Sequence, residues 1–173
     1  MTVPKQKQRE SLVVLLYSLD FHDEASEEEL LEVAGEQLKL PTRTLTDSLS
    51  QAKKIRAMRE ELDDKLASVV VSYETHRIGM MERNILRLGL YELLYDEEIP
   101  PKVAIAEALR LSKKFATPAT TRFVNALLDH IYQESLGRPV SDDALKKSID
   151  ELTETQAEVE KVIELERDTP PTD

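Results

Sequence analysis

The residues best suited to chemistry lie in the stretch KKFATPATTRFVNALL, residues 113–128. Lys113, Lys114 and Arg122 could follow the phosphates of a nucleic acid. The ring of Phe123 could stack on a base, a contact worth about 1–3 kcal/mol. At about 100° of rotation per residue, Arg122 faces solvent and Phe123 lies at the edge of the apolar stripe, so we expect Phe123 to be half-exposed. The spacing alone favours a second interpretation, in which Phe123 caps the core and the cations form an ordinary solvated face.

Arrangements of residues that would support catalysis or metal binding are absent from the sequence. The chain has no cysteine, and His22, His76 and His130 are far apart and have no partner at the spacing of metal ligands. Adjacent carboxylates such as Glu97 and Glu98 point to different faces of a helix and cannot share a substrate. With only four glycines, the chain also lacks the glycine-rich loops that hold phosphates. We expect no enzymatic activity, no metal site and no cofactor.

The negative charge of the chain is unevenly distributed. The formal net charge is −11, but residues 37–140 carry sixteen bases against fourteen acids. Residues 20–36 hold eight acids and no base, and residues 141–173 hold eleven acids against four bases. An acidic total therefore argues only against a protein that binds any nucleic acid. No stretch approaches the roughly 20 apolar residues of a membrane span, and the first residues lack a signal core, so we expect a cytoplasmic protein that does not enter membranes.

Apolar residues recur at helical spacing along most of the chain, which is rich in leucine, alanine, glutamate and lysine. The spacing of Ser26 and Glu29 predicts a capping box at the start of a second helix, and residues 44–47 repeat that pattern before a third. Gly89 lies inside a helix, where it costs about 1 kcal/mol relative to alanine, so we expect a neighbouring backbone to approach it closely. The predicted helices are 5–21, 26–40, two between 44 and 73 with a break near 56–60, 80–95, 103–115 and 119–135.

We expect residues 139–173 to form an acidic, helical extension of a globular domain that spans residues 1–138. Six positions of the extension, at alternating spacings of four and three, form a heptad seam with one polar member. They are Leu145, Ile149, Leu152, Gln156, Val159 and Ile163. Two interpretations remain open, a coiled coil and a solvated helix that lies on the globular domain or is partly frayed. The final DTPPTD is expected to be disordered.

Three segments resemble the NusB family of bacterial transcription antitermination factors. They are RESLVVLLYSLDF at residues 9–21, RNILRLGLYELLYDEEIPPKVAIAEALRLSKKF at residues 83–115 and RFVNALLDHIY at residues 122–132. The resemblance covers about residues 4–136, with the order and spacing of the motifs intact. It implies an all-α fold of about seven helices in two packed helical subdomains, to which the charged helical tail is added.

For function, the resemblance implies a transcription antitermination factor that binds the boxA element of single-stranded nascent RNA together with the ribosomal protein NusE. Such a factor joins the RNA polymerase elongation complex during ribosomal RNA transcription. The residues implied in RNA binding are Lys5, Lys7, Arg9, Arg122 and Phe123, with Tyr17, Lys113 and Lys114 as neighbours. The residues implied in the NusE-facing surface are Glu82 as the best match, with Glu92 and Glu107 as looser candidates.

Departures from the family pattern leave an alternative function open. The basic arm reads KQKQR at residues 5–9, with glutamines between the cations, where the family arm is dense in arginine. Fewer cations weaken the attraction for phosphates and flatten its salt dependence. In the other direction, Ala119 stands where an acidic residue is common in the family, which removes a source of repulsion. The sparse arm and the acidic tail motivate the alternative, a helical protein-binding adaptor with weak or no RNA binding.

The extension itself admits three hypotheses. It could cover the basic surface when RNA is absent, it could dimerise the protein, or it could have no specific role.

Overall fold

The computed structural model describes residues 2–22, 24–70 and 77–168. Over these residues the chain forms eight helices and no strand, which confirms the predicted all-α fold of seven helices followed by a helical tail. The helices are α1 Lys5–Phe21, α2 Glu27–Leu38, α3 Thr42–Ala57, α4 Arg59–Val69, α5 Met80–Leu94, α6 Pro101–Phe115, α7 Pro118–Ser135 and α8 Asp143–Arg167. His76, the end of the helix predicted up to residue 73 and the predicted disordered tip beyond residue 168 lie outside the described residues.

The helix boundaries follow from local chemistry. Ser26 accepts a hydrogen bond from the backbone of Glu29 at 3.2 Å, and the Glu29 carboxylate accepts one from the backbone of Ser26 at 3.1 Å, which confirms the predicted capping box of α2. The capping pattern predicted at residues 44–47 is wrong. α3 already begins at Thr42, and its N-cap is Pro41, whose carbonyl accepts a hydrogen bond from the backbone of Leu45 at 3.1 Å. The predicted break between α3 and α4 is confirmed at Met58.

Helix α1 joins two helical subdomains. On one side it packs against α2 and α3, and on the other against α5, which is covered in turn by α6 and α7. The middle of α1 is buried nearly all round, with Val13 and Leu15 fully enclosed. This burial agrees with the nearly continuous run of apolar residues there.

A buried arginine on α5 fixes the C-terminal end of α1. Arg87 donates two hydrogen bonds to Asp63 on α4, at 2.8 and 2.6 Å, and lies 3.4 Å from Asp20 on α1. Asp20 also accepts a hydrogen bond from Asn84 on α5 at 2.8 Å and one from Arg56 on α3 at 3.3 Å. Because a buried charge without its partner is strongly disfavoured, this network sets the position of α1 relative to three other helices.

Gly89 allows α5 to lie close to α6 and α7. A Cβ atom built on Gly89 would lie 3.1 Å from the Cβ of Ala108 on α6 and 3.1 Å from the Cδ1 of Leu128 on α7. Since the Cβ of Ala108 is attached directly to the α6 backbone, the expected close approach of a neighbouring backbone is confirmed.

Helix α8 has a packed half and an exposed half. Leu145, Ile149 and Leu152 are buried, and α8 packs against α7, whereas Leu165 is 70% exposed. The first half of the heptad seam therefore packs on the globular domain, and the second half is exposed to solvent. This agrees with the interpretation of a solvated helix that lies on the domain. The boundary predicted after residue 138 falls between α7 and α8.

Replacing Gly89 with valine should destabilise the fold by about 1–3 kcal/mol, the usual cost of over-filling a packed core, because the new methyl groups meet Ala108 and Leu128. Gly35→Ala is the control, and it should be at least as stable as the wild type. A Cβ there meets Leu45 at an ordinary 3.6 Å, and alanine is preferred to glycine in a helix by about 1 kcal/mol. Urea denaturation followed by circular dichroism measures both variants. A Gly89→Val protein as stable as the wild type would show that α5 does not approach α6 closely.

Candidate nucleic-acid interface

Three cations from two helices converge on the carboxylate of Glu10. Lys7, one turn earlier on α1, donates to it at 3.0 Å, and Arg110 and Lys114 on α6 each donate at 2.8 Å. The Glu10 side chain is 7% exposed, whereas those of Lys7 and Lys114 are 54% and 45% exposed. We call these four residues the Glu10 cluster. It brings the arm of α1 and the end of α6 onto one surface, although Glu10 and Lys114 are 104 residues apart in the sequence.

The Glu10 cluster has a net positive charge. Burial raises the pKa of Glu10, but the hydrogen bonds from Lys114, Lys7 and Arg110 outweigh burial and lower this pKa to about 2. Glu10 is therefore ionised at neutral pH. Three cations around one carboxylate give these four residues a positive surplus, which the contact of Glu107 with Arg110 at 2.9 Å reduces. The lowered pKa of Glu10 contributes to the stability of the folded protein. This contribution is present above pH 4.5 and is lost as the pH falls toward 2.

Arg9 and Glu92, predicted to contact different molecules, contact each other. The Arg9 Nε lies 3.0 and 3.2 Å from the two oxygens of Glu92, and its Nη1 lies 3.6 Å from Glu107. Burial raises the pKa of Glu92, and the hydrogen bond from Arg9 opposes that rise. Both side chains are largely buried. RNA or a protein partner would therefore have to compete with this pair, and the binding roles of both residues stay predictions.

Other residues of the predicted RNA site are more accessible. Lys5 lies in the first turn of α1 and Lys113 in the last turn of α6, and both are exposed. Tyr17 lies two turns beyond Glu10, about 10 Å along α1. It is half-buried, and its ring centroid is 4.8 Å from that of Phe21. Tyr17 therefore lies at some distance from the clustered cations.

The first turns of α7 place Arg122 at the surface, as predicted. The Thr117 hydroxyl accepts a hydrogen bond from the backbone of Thr120 at 3.3 Å, and Pro118 occupies the first helical position, where its missing N–H does no harm. Arg122 is 55% exposed, but Glu151 on α8 takes two hydrogen bonds from its guanidinium, at 2.9 and 2.5 Å. These bonds raise the pKa of Arg122 and lower that of Glu151. A carboxylate thus occupies the position that a phosphate would take.

The expectation that Phe123 is half-exposed is wrong. Its side chain has no exposed surface, so neither face of the ring is open to a base in this conformation. The expectation assumed that α7 buries a narrower part of its circumference than it does. Helix α7 packs against α4, α5, α6 and α8, and Ala119 and Thr120 are buried along with Phe123. The second interpretation, in which Phe123 belongs to the core, is correct for its position.

The glutamates predicted to face NusE do not form one patch. Glu82 lies in the first turn of α5, about 15 Å along the helix from Glu92. It is half-exposed and lines a shallow pocket where α5, the start of α7 and α8 meet. Glu107 lies instead on α6, where it accepts a hydrogen bond from Arg110 at 2.9 Å. The structure therefore brings Glu92 and Glu107 together near the arm of α1 and leaves Glu82 apart.

Two acids that the sequence analysis did not single out, Glu10 and Glu151, hold cations of the candidate site. Glu10 follows Lys7 at i,i+3, a spacing that by itself predicts a helical ion pair. The sequence carries no signal that connects Glu10 to Lys114 or Glu151 to Arg122, because these pairs form only when distant helices pack.

The fold is that of an all-α protein with three cations gathered on one face. Residues 6–133 match the model of the NusB family, and the chain belongs to that family. The transcription antitermination protein NusB of Chlamydia pneumoniae is 33% identical over 132 residues, which are 76% of this chain and 82% of that protein. The transcription antitermination protein NusB of Chloroherpeton thalassium is 25% identical over 171 residues, which are 99% of this chain and 79% of that protein. The second alignment extends through α8.

A solved structure gives a further match. The crystal structure of antitermination factors NusB and NusE in complex with double-stranded RNA shares 26% identity and a TM-score of 0.56, and the match covers 75% of this chain and 96% of that chain. Membership of a family of transcription antitermination proteins confirms the expectation of a protein that is not an enzyme.

In the parts of the chain that the structure describes, no group of three or more histidine, cysteine, aspartate or glutamate side chains is arranged to hold a metal ion. Among the helices of those same parts, none is both long enough and apolar enough to span a membrane.

Phe123→Ala should destabilise the protein by about 3–5 kcal/mol, the range for removing a fully buried ring. Phe21→Ala is the matched control. Phe21 is 56% exposed, so its truncation should cost less than about 1 kcal/mol. Chemical denaturation of both variants tests the assignment. A stable Phe123→Ala protein with weakened RNA binding would instead support the stacking role predicted from the sequence.

Proposed function

We propose that the protein is a transcription antitermination factor that binds boxA-type single-stranded RNA together with the ribosomal protein NusE. In this role it joins the RNA polymerase elongation complex in the cytoplasm and promotes processive transcription of ribosomal RNA. The observation that carries the proposal is the Glu10 cluster, which gathers three cations around one buried carboxylate where α1 meets α6 in a chain of net charge −11. Family membership and the likeness to a NusB complex with NusE and RNA support it.

The proposed first contacts with phosphates are the exposed lysines of this face. They are Lys5, Lys7, Lys113 and Lys114. An ammonium group has three N–H donors, so the lysines that bind Glu10 keep donors for a phosphate. Arg9 and Arg122 join the site by exchanging a carboxylate for a phosphate. Tyr17 offers its half-buried ring to a base, and Phe123 supports the start of α7 from within the core.

The proposed NusE surface includes Glu82 and Glu107. Glu82 is half-exposed at the start of α5, where a partner can reach it. Glu107 retains partial exposure beside Arg110. Glu92 is buried against Arg9, so it contributes to NusE binding only if that pair opens.

One observation favours the alternative of a protein-binding adaptor with weak or no RNA binding. Arg9 and Arg122 are already paired with carboxylates of the same chain. RNA must displace these carboxylates before the two arginines can bind phosphates, which lowers the affinity of the protein on its own. In the proposed function, NusE supplies the remaining contacts.

Titration of a boxA-like single-stranded RNA, with and without NusE and at two salt concentrations, separates the two functions. We expect binding that tightens with NusE and weakens as salt rises, because phosphate contacts release counterions. A scrambled single strand and a duplex of the boxA sequence serve as controls, and both should bind more weakly. The duplex is needed because the solved relative holds double-stranded RNA. Preference for the duplex would overturn the single-stranded assignment, and absence of binding under all conditions would leave the adaptor.

We further propose that α8 covers part of the basic surface when RNA is absent. The buried residues Leu145, Ile149 and Leu152 anchor α8 on α7, and this anchoring holds Glu151 against Arg122. Deleting the extension would uncover the core beneath it, so a single substitution is the cleaner test.

Glu151→Gln should raise RNA affinity by about two- to five-fold, the range expected when an exposed ion pair no longer competes with the ligand. Glu154→Gln is the matched control, since it removes the same charge from an exposed position one turn further along α8. Fluorescence anisotropy of labelled RNA measures both. Equal affinities of the two variants would show that Glu151 does not compete with RNA for Arg122.

A further inference from the structure

We propose that Glu10 is a positioning residue for RNA phosphates, because its buried carboxylate holds Lys7, Arg110 and Lys114 at fixed places on one surface. The inference rests on the proposed function and deepens it. A carboxylate near a polyanion is ordinarily expected to weaken binding through repulsion. The geometry around Glu10 points to the opposite effect.

The carboxylate of Glu10 is shielded, while its lysine partners are not. The Glu10 side chain is buried, and the side chains of Lys7 and Lys114 are about half exposed to solvent. A phosphate that approaches from solvent therefore meets the ammonium groups first. Glu151 differs in this respect, since it is itself partly exposed beside Arg122.

Glu10 also allows two ammonium groups to lie close together. The Nζ atoms of Lys7 and Lys114 both contact the same oxygen of Glu10, at 3.0 and 2.8 Å, so they are at most about 6 Å apart. Like charges at this separation repel each other, and free lysine side chains lose much conformational entropy when they are ordered. The carboxylate offsets the repulsion and orders both side chains during folding. Less ordering is then required when RNA binds.

Arg110 extends the effect of Glu10 to the first turn of α1. Its Nη1 donates to Glu10 at 2.8 Å, and its Nη2 donates to the backbone carbonyl of Gln6 at 3.2 Å. Its Nε is held by Glu107 at 2.9 Å. The carboxylate of Glu10 thus orients a guanidinium that in turn fixes the arm from which Lys7 projects.

The test compares Glu10→Gln with Glu36→Gln and the wild type in binding of a labelled boxA-like RNA across a salt series. Glu36 is exposed on α2, so its change removes one negative charge outside the cluster. If net charge alone mattered, both variants would bind slightly tighter. We expect Glu10→Gln to bind at least about three-fold more weakly. The slope of the logarithm of the binding constant against the logarithm of the salt concentration should be smaller by about one, since one fewer phosphate is held. Glu36→Gln should bind as well as the wild type or better.

A second variant and a folding control separate positioning from structural damage. Glu10→Asp keeps the charge and should recover part of the affinity and of the salt slope, whereas the nearly isosteric Gln should not. Titration at stoichiometric concentration gives the active fraction of each protein. A purely structural role would lower that fraction while the folded remainder kept wild-type affinity and slope, and this result would overturn the proposal.

A parallel titration with an oligouridylate of equal length distinguishes failure of this inference from failure of the proposed function. If the wild type binds both RNAs equally, boxA recognition fails. The Glu10 and Glu36 variants are then compared with the wild type by their affinity for either RNA. Binding by Glu10→Gln that equals or exceeds that of the wild type overturns the positioning role. If the wild type binds neither RNA, both proposals fall.

Discussion

Ion pairs with buried members hold both ends of helix α1, and this constraint fixes the position of the two subdomains relative to each other. At its C-terminal end Asp20 meets Arg87 of α5, and at its N-terminal end Glu10 meets Lys114 of α6. Apolar contacts alone tolerate exchange of one aliphatic side chain for another. A buried ion is stable only with its partners in place, so a shift of α1 by one turn, about 5.4 Å, would unpair charges at both ends at once. The charges therefore select one register of α1.

The same charges divide the acids of this face by their burial. Glu10 is enclosed and surrounded by three cations, so its field is more than neutralised before it reaches solvent. Glu151 is partly exposed and forms a one-to-one pair with Arg122, so it leaves no surplus of positive charge. In the proposed function, a carboxylate of the first kind organises an anion-binding surface, and one of the second kind competes with the anion. The number of cations that a carboxylate gathers, together with its exposure, decides between the two effects.

Local patterns in the sequence predict the features that depend on residues a few positions away. The bounds of α1, the capping box at Ser26 and the close approach at Gly89 are of this kind, since spacing and backbone chemistry determine them. Phe123 could not be placed in this way, because its burial depends on helices that pack around α7 from several sides. The candidate site shows the same limit. Composition identifies its cations, but only tertiary packing decides that Arg9 is held by a buried glutamate.

A net charge of −11 is compatible with an RNA partner because electrostatic forces between exposed groups are short-ranged in salt solution. At physiological ionic strength the Debye length is about 8 Å, so exposed acids farther than this from the Glu10 cluster have little effect on a phosphate bound there. Eleven of the acids lie in residues 141–173, of which Glu151 reaches Arg122. The distant acids still disfavour encounters with nucleic acid elsewhere on the surface. In the proposed function, selectivity arises from how charge is distributed. The acidic remainder disfavours unspecific contact, while Glu10 gathers three cations where α1 meets α6.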